Sequence, residues 1–338
     1  MRVFLTGGSG FVGQHLIRQL RAAGHTVVAI ARSSTSADRV IDAGAEAVLG
    51  DLADLLQADG SPAAPTWLQT MQQVDAVVHA AARMEFWGDE AGFRTDNHHP
   101  TVALHAAAVK AKVPRFVLLS AAGVSTGTQR ATVVDENTDE GTPVTAYFRT
   151  KLATEDALRG AASQATTLVI LRPPLVWGPG MKIAETAADA AKGRFLWLDS
   201  GRHLVDFIHV HNLADVVLLA LTEGHHGVPY YVTDGSPMSI RDFFTGLLAT
   251  QGVDVSASRS VPLAVAAPLA ALMDGGARLL RRPTPPPLTK WLVALLGRDR
   301  VYDISAARTD LGYRPRSNFD EGLREMANLA GHSHADAA

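Results

Sequence analysis

Tyr147 and Lys151 stand four residues apart in the segment Tyr147-Phe148-Arg149-Thr150-Lys151. On a helix that spacing puts the phenol and the ammonium on one face. A positive charge within about 4–6 Å favours the phenolate and draws the tyrosine pKa down from about 10 towards working pH. The pair is expected to serve an alcohol–carbonyl couple, with Tyr147 moving the proton and Lys151 also able to hold ribose hydroxyls. The plain alternative is an exposed helical pair. Tyr147 is the only tyrosine before position 230, so no second phenol competes for the role there.

The second constellation is Thr6-Gly7-Gly8-Ser9-Gly10-Phe11-Val12-Gly13. Glycines 8, 10 and 13 satisfy GxGxxG, and glycines 7, 10 and 13 give GxxGxxG. Either frame makes a tight turn, brings backbone close to a pyrophosphate and aims a helix N-terminus at negative charge. Its place between a first strand and a first helix is the context that a dinucleotide site requires. Gly7, Gly10, Phe11, Val12 and Gly13 are therefore expected to bind a cofactor. About 20 residues further on, where an NAD site usually carries an acid for the ribose 2′-hydroxyl, stands Ala31-Arg32-Ser33-Ser34. An arginine followed by hydroxyls suits a 2′-phosphate. NADP is expected, NAD is the alternative, and the bland reading of Arg32 is a surface arginine at a strand end. In Gly50-Asp51-Leu52, Asp51 either accepts from the adenine amino group or caps a helix. His79-Ala80-Ala81-Ala82 closes the fourth strand in small residues, which let a cofactor lie against the strand ends or let helices pack closely.

Thirteen histidines raise the question of a metal. His98-His99 and His225-His226 diverge on any regular element, and His209 and His211 share a strand face without an evident third ligand. No metal is expected. Glu136 and Glu155 read as solvated or capping acids.

These residues must be positioned by a fold of 338 residues, 47% hydrophobic and 19% charged, with a formal net charge of −3 and no cysteine. That balance excludes a disordered polymer, a polybasic nucleic-acid binder, a disulfide scaffold and thiolate chemistry, and it fits a reducing cytoplasm. Val3–Thr6, Thr26–Ala31, Ala45–Leu49, Val74–His79, Arg115–Leu119 and Thr167–Leu171 read as buried strands separated by helical patterns such as Phe11–Ala23. The alternation predicts an α/β, doubly wound parallel sheet over residues 1–175. A smaller, mostly helical lobe is expected over 176–330, with strand candidates at Val205–Val210 and Val228–Val232. Residues 331–338 are expected to fray. Val261–Met273 is apolar but too short to span a bilayer, and a peripheral membrane contact remains open.

With these motifs in this order, the chain resembles the extended short-chain dehydrogenase/reductase family along essentially its whole length. The likeness rests on Thr6–Gly13, Gly50-Asp51-Leu52, His79–Ala82, Asn97, Tyr147/Lys151, Leu171–Gly180 and Asp206–Asn212. Trp87-Gly88, Asp206–Val210 and Asp303–Pro315 look most like the 3β-hydroxysteroid dehydrogenase-type and dihydroflavonol reductase-type members. The resemblance implies a Rossmann-type cofactor domain, Tyr147 as proton donor or acceptor and Lys151 orienting the nicotinamide ribose. It also implies that Pro173 and Val176 lie beside the nicotinamide, and that Asn97 supports the framework. The family's catalytic hydroxyl usually comes second in a Ser-Ser pair, where this chain has Ala121. Ser120 is the candidate replacement, with Ser125 and Thr126 behind it. Similar sugar-nucleotide epimerases carry an arginine where Val205 stands, and dehydratases carry an Asp-Glu pair where Ala121-Ala122 stands. Both gaps favour hydride transfer on a small lipophilic substrate (steroid-like, β-keto acyl or flavonoid-like). Leu263, Val265, Leu269, Leu272 and Met273, in a lobe poor in charge until Arg281, either line its pocket or form ordinary core. A sugar-nucleotide epimerase or dehydratase and a non-catalytic cofactor-binding sensor or scaffold are the alternatives. Family members often dimerise through two helices, here near Pro100–Lys112 and Ala146–Gly160, so a homodimer is expected.

Overall fold

The computed structural model describes residues 1–127, 132–161, 165–280 and 282–335. The first half runs β1 (Arg2–Thr6), α1 (Phe11–Ala22), β2 (Thr26–Ala31), α2 (Ser34–Asp42), β3 (Glu46–Leu49), β4 (Ala76–His79), α3 (Glu90–Phe93), α4 (His99–Lys110), β5 (Arg115–Leu119), β6 (Val133–Val134), α5 (Ala146–Gly160) and β7 (Thr167–Arg172). The second runs β8 (Leu175–Trp177), α6 (Ala184–Ala191), β9 (Trp197–Leu198), β10 (Leu204–Val205), β11 (Phe207–His209), α7 (Val210–Ala220), β12 (Pro229–Tyr231), α8 (Ile240–Ala249), α9 (Leu263–Leu279), α10 (Lys290–Leu296), α11 (Ser305–Asp310) and α12 (Phe319–Ala335).

Seven strands form one parallel sheet in the order β12-β7-β5-β4-β1-β2-β3. Strands with helices on both faces must be apolar on both, and their side chains alternate between two cores. Val3, Leu5, Val78 and Val117 face the side covered by α1 and α7, with Leu16, Ile17, Leu213 and Val217. Phe4, Val77, Phe116 and Leu118 face the other side, with Leu104 of α4 and Leu158 of α5. The strand order reverses between β1 and β4, where Thr6 pairs with His79, and such a switch point leaves a crevice at the carboxyl ends.

The expected doubly wound sheet is present, and the six expected strands lie within two residues of their bounds. The second half does more than was expected. β12 joins the same sheet beside β7, and α7 packs into the core against α1. The Val205–Val210 run divides at Asp206, whose carboxylate accepts the Tyr302 N–H at 2.8 Å. On either side of it, β10 pairs with Met238–Ser239 and β11 pairs with β8. A further core of Trp177, Trp197, Phe207, Phe243 and Met326 joins β8, β9, β11, α8 and α12. It encloses a cavity of about 160 Å³ that touches neither Tyr147 nor Lys151. The tail expected to fray from Gly331 stays helical through Ala335, and residues 336–338 lie outside the described residues, as does Arg281. Among the described residues no helix is long and apolar enough to cross a membrane.

Candidate active site

The glycine turn fills the crevice between β1 and β4. Gly7 has φ +76°, and a Cβ there would come within 2.9 Å of the Ala81 nitrogen, so only glycine fits. A Cβ on Gly13 would meet the Gly7 carbonyl, whereas one on Gly8 would meet side chains of Ala29, Ile17 and Val40. The frame that shapes the turn is therefore 7, 10 and 13. No side chain caps α1 at Gly10, and its first helical bond runs from the Gln14 N–H to the Gly10 carbonyl at 3.0 Å. The amides of Phe11, Val12 and Gly13 precede that bond. They are the donors that an anion at a helix N-terminus uses.

The β4 end is held by a directed hydrogen-bond chain. The Ala81 N–H donates to Thr6 Oγ1 at 3.0 Å, and Thr6 Oγ1 lies 2.8 Å from His79 Nδ1. His79 Nε2 lies 2.8 Å from Thr101 Oγ1, which donates to the Asn97 carbonyl at 2.5 Å. Because Thr101 spends its proton on Asn97, His79 donates from Nε2, and burial, which keeps the ring neutral, leaves Nδ1 to accept from Thr6. Burial draws its pKa down to about 3. The chain fixes Ala80 and Ala81 against the glycine turn. Asn97 holds the next stretch, accepting the Arg83 N–H at 2.7 Å and donating to the Arg83 carbonyl at 3.0 Å.

Arg32 lies exposed just past β2. Ser33 is the N-cap of α2 and accepts the Ser36 N–H at 3.2 Å. Asp51 forms a capping box, accepting from Ala53 and bonded back by Asp54. Its capping role is thus observed, and Leu52 opens the turn it caps. The Pro173 carbonyl accepts the Ala122 N–H at 2.8 Å, and Val176 packs on the main core, so their loop is tied to the end of β5.

Tyr147 sits in the first turn of α5, which Thr145 caps by accepting the Phe148 N–H at 3.0 Å. Its ring is 4% exposed and packs with Phe93, Ala121, Ala146 and Phe148. Phe86 meets it edge-on at 5.8 Å, and Trp291 of α10 stacks on Phe86 at 4.0 Å. Lys151 lies one turn on, its Nζ 5.9 Å from the Tyr147 ring centroid and donating to the Leu119 carbonyl at 3.0 Å. The two side chains do share a buried face. Burial pushes the Tyr147 pKa above its ordinary value, opposite to the lowering expected from the lysine spacing. The aromatic enclosure penalises phenolate, and the Lys151 ammonium, 5.9 Å from the ring centroid, does not offset that penalty. Burial also draws Lys151 down to about 8, against the pull of Glu155.

The chain matches the model of the NAD dependent epimerase/dehydratase family over residues 3–232. It belongs to this family. It is 33% identical over 326 residues to the 4-hydroxy-2-methyl-3-oxo-4-farnesyl-3,4-dihydroquinoline-1-oxide ketoreductase of Stigmatella aurantiaca, covering 96% of this chain and 95% of that one. It is 32% identical to the 2-alkyl-3-oxoalkanoate reductase of Stenotrophomonas maltophilia, covering 96% and 98%. A UDP-glucose 4-epimerase of Thermus thermophilus solved with NAD shares the fold with a TM-score of 0.73 at 22% identity, covering 98% and 99%. These two curated relatives are reductases, others are named as dehydrogenases, and a nicotinamide cofactor is the family's own.

The resemblance places the family's catalytic hydroxyl at position 121. The residue packed against Tyr147 is Ala121, a methyl. Ser120, expected as the replacement, is buried and donates to the Glu155 carboxylate. Ser125 donates to the Ala122 carbonyl at 3.0 Å and Thr126 to the Gly123 carbonyl at 2.6 Å. All three hydroxyls are occupied by neighbouring acceptors. Glu155, expected as a solvated or capping acid, is fully buried and clamps Arg172 with both oxygens, at 2.7 Å from Nη2. Glu136 is half-buried and accepts the Tyr231 N–H at 3.0 Å. Tyr147, Lys151 and Glu155 form one stripe at steps of four, a signal the sequence carries.

Leu269 and Leu272 do not line this site. α9 turns Ala266, Ala270 and Ala277 inward and points Val265, Leu269 and Leu272 to solvent. Leu263 and Met273 are half-buried. A third potential ligand does come near His209 and His211: α12 brings the Glu325 carboxylate to 3.8 Å from His211 Nδ1. Phe86, Phe93 and Trp291 went unnoticed in the sequence because isolated aromatics carry no spacing signal.

Proposed function

We propose that this protein is an NADP-dependent ketoreductase of a lipophilic ketone, with Tyr147 as proton donor. The carrying observation is a phenol enclosed by Phe86, Phe93 and Ala121, one helical turn from a buried lysine beside the crevice. The Tyr147 hydroxyl would deliver its proton to the carbonyl oxygen as the hydride arrives, which suits reduction. The turn at Gly7, Gly10 and Gly13 fits a dinucleotide pyrophosphate, with Ala80 and Ala81 against it and Arg32 available to a 2′-phosphate. A bound nicotinamide supplies the hydride. Lys151 orients the ribose and presents a positive charge beside the phenol, and the apolar walls exclude water. Catalysis is assigned to Tyr147 and Lys151, without Ser120.

The apolar lining and the lipophilic substrates in the relatives' names support the substrate class, which includes β-keto acyl chains and steroid-like rings. Val205 is buried and offers a sugar diphosphate no charge. Residues 176–330 supply the substrate side, in a cytoplasmic enzyme that dimerises through α4 and α5.

The test is NADPH oxidation with long-chain 2-alkyl-3-keto acids and steroid ketones. Tyr147→Phe is expected to lower kcat at least a hundredfold while changing the NADPH Kd less than about twofold. Turnover unchanged by that substitution removes Tyr147 from the chemistry. Cofactor binding without turnover of any ketone returns the non-catalytic reading that Ala121 suggests.

A further inference from the structure

α9 is built inside out. Its buried residues are Ala266, Ala270, Asp274 and Ala277, while Val265, Leu269, Leu272 and Leu279 are exposed. Positions 265, 269, 272 and 279 repeat at steps of four, three and seven, which makes one stripe along the helix. Leu272 is 74% exposed and Leu279 85%, and Leu280 at the helix end extends the patch. A helix that buries alanine and exposes leucine gives up the stabilisation it would gain in water. The arrangement suits a helix whose outer face meets another apolar phase.

The charges around the stripe identify that phase. Residues 263–296 contain one acid, Asp274, and four bases, Arg278, Arg281, Arg282 and Lys290, in a chain whose net charge is −3. Asp274 is buried and bonded to Arg278 at 3.1 Å, so it presents no negative surface. Arg282 and Lys290 are exposed. Trp87 donates to the Arg282 carbonyl at 3.0 Å and carries the Arg278 guanidinium over its ring at 4.6 Å. Leucines in a stripe, bordered by cations and by an amphipathic tryptophan, match the interface of an anionic bilayer.

We infer that α9, with Arg282, Lys290 and Trp87, docks on the surface of an anionic lipid membrane. The same segment roofs the candidate active site, since Trp291 of α10 stacks on Phe86 and Phe86 packs on Tyr147. A docked α9 therefore sets the entrance to Tyr147 at the depth where a lipophilic ketone dissolves. This deepens the proposed substrate class, and its test is a binding measurement that stays informative whether or not such a ketone is turned over.

The experiment is flotation of the purified full chain with phosphatidylcholine vesicles, with and without phosphatidylglycerol, together with light-scattering mass in solution. The wild type is expected to float with anionic vesicles and to be released as salt is raised. The exposed double variant Leu269→Glu/Leu272→Glu should lose binding about tenfold or more with an unchanged unfolding temperature. Arg282→Glu/Lys290→Glu should weaken binding only at low salt. Absence of flotation by the folded wild type overturns the inference, as does binding indifferent to both variants. A solution dimer that Leu269→Glu/Leu272→Glu splits, without vesicle binding, assigns the stripe to a second copy instead.

Discussion

At the scale of single residues the site turns on two chemical groups, one present and one absent. The Tyr147–Lys151 spacing was legible because i,i+4 geometry is local. The direction of the phenol's pKa was not, because Phe86, Phe93 and Ala121 reach it from other elements and burial outweighs a charge 5.9 Å away. The partner of Ser120 was not legible for the same reason: Glu155 lies 35 residues away and is itself locked on Arg172. The methyl of Ala121 occupies the place beside Tyr147. Ala121→Ser is expected to raise kcat with a ketone about tenfold or more by adding a donor to the developing oxyanion. Steady-state kinetics check this, and an unchanged or lower kcat means that the phenol alone polarises the carbonyl. The proposed 2′-phosphate contact rests on the exposed charge of Arg32. Arg32→Ala should raise the NADPH Kd about tenfold or more and leave NADH within about twofold, by fluorescence titration. Equal losses for both cofactors rule out a 2′-phosphate contact.

At the scale of elements, strands buried on both faces announce themselves as short β-branched runs, so the sheet was readable from β1 to β7. The return of β12 to that sheet was not, since three residues carry no topological signal and their place depends on α7 packing against α1. α9 shows a similar limit. Its apolar content suggested a pocket wall or core, but hydropathy cannot tell inward from outward when alanines fill the inner stripe. The roof over Tyr147 came instead from α10, through Trp291 and Phe86. Removing that roof tests the element. Trp291→Ala deletes a stacked, half-buried ring on a seven-residue helix, so the fold should tolerate it. Loss of about 50 Å² of apolar contact to a substrate is worth about 1.3 kcal/mol, or roughly a tenfold rise in KM for a long-chain ketone. kcat should stay within about twofold, because Trp291 touches Phe86 rather than the reacting atoms. A KM that does not move places the substrate elsewhere.

At the scale of the molecule, histidines kept neutral by burial link its separate cores to pH. His79 sits at the end of β4, His105 lies edge-on to Phe116 on one face of the sheet, and His209 stands between Trp177 and His211 in the second core. Burial draws them down to about 3, about 4 and about 4 respectively. The unfolded chain holds such groups near pKa 6.5, so below that pH it binds protons that the folded chain refuses, and stability must fall on acidification. At about pH 5.5 each histidine costs about 1.4 kcal/mol relative to neutral pH. Asp206 works in the opposite sense: burial raises it to about 6, so the folded state takes up its proton first and regains part of the loss. For these four groups the balance is about 3 kcal/mol, which for a chain of this length shifts the Tm by roughly 4 °C. Calorimetry between about pH 7.5 and 5.5 should show that fall, and His79→Gln should flatten it by nearly half. A Tm that holds steady or rises over this range would mean that the three imidazoles accept protons in place. In that case the directed chain from Ala81 through His79 to Asn97 could not be what holds the cofactor crevice in shape.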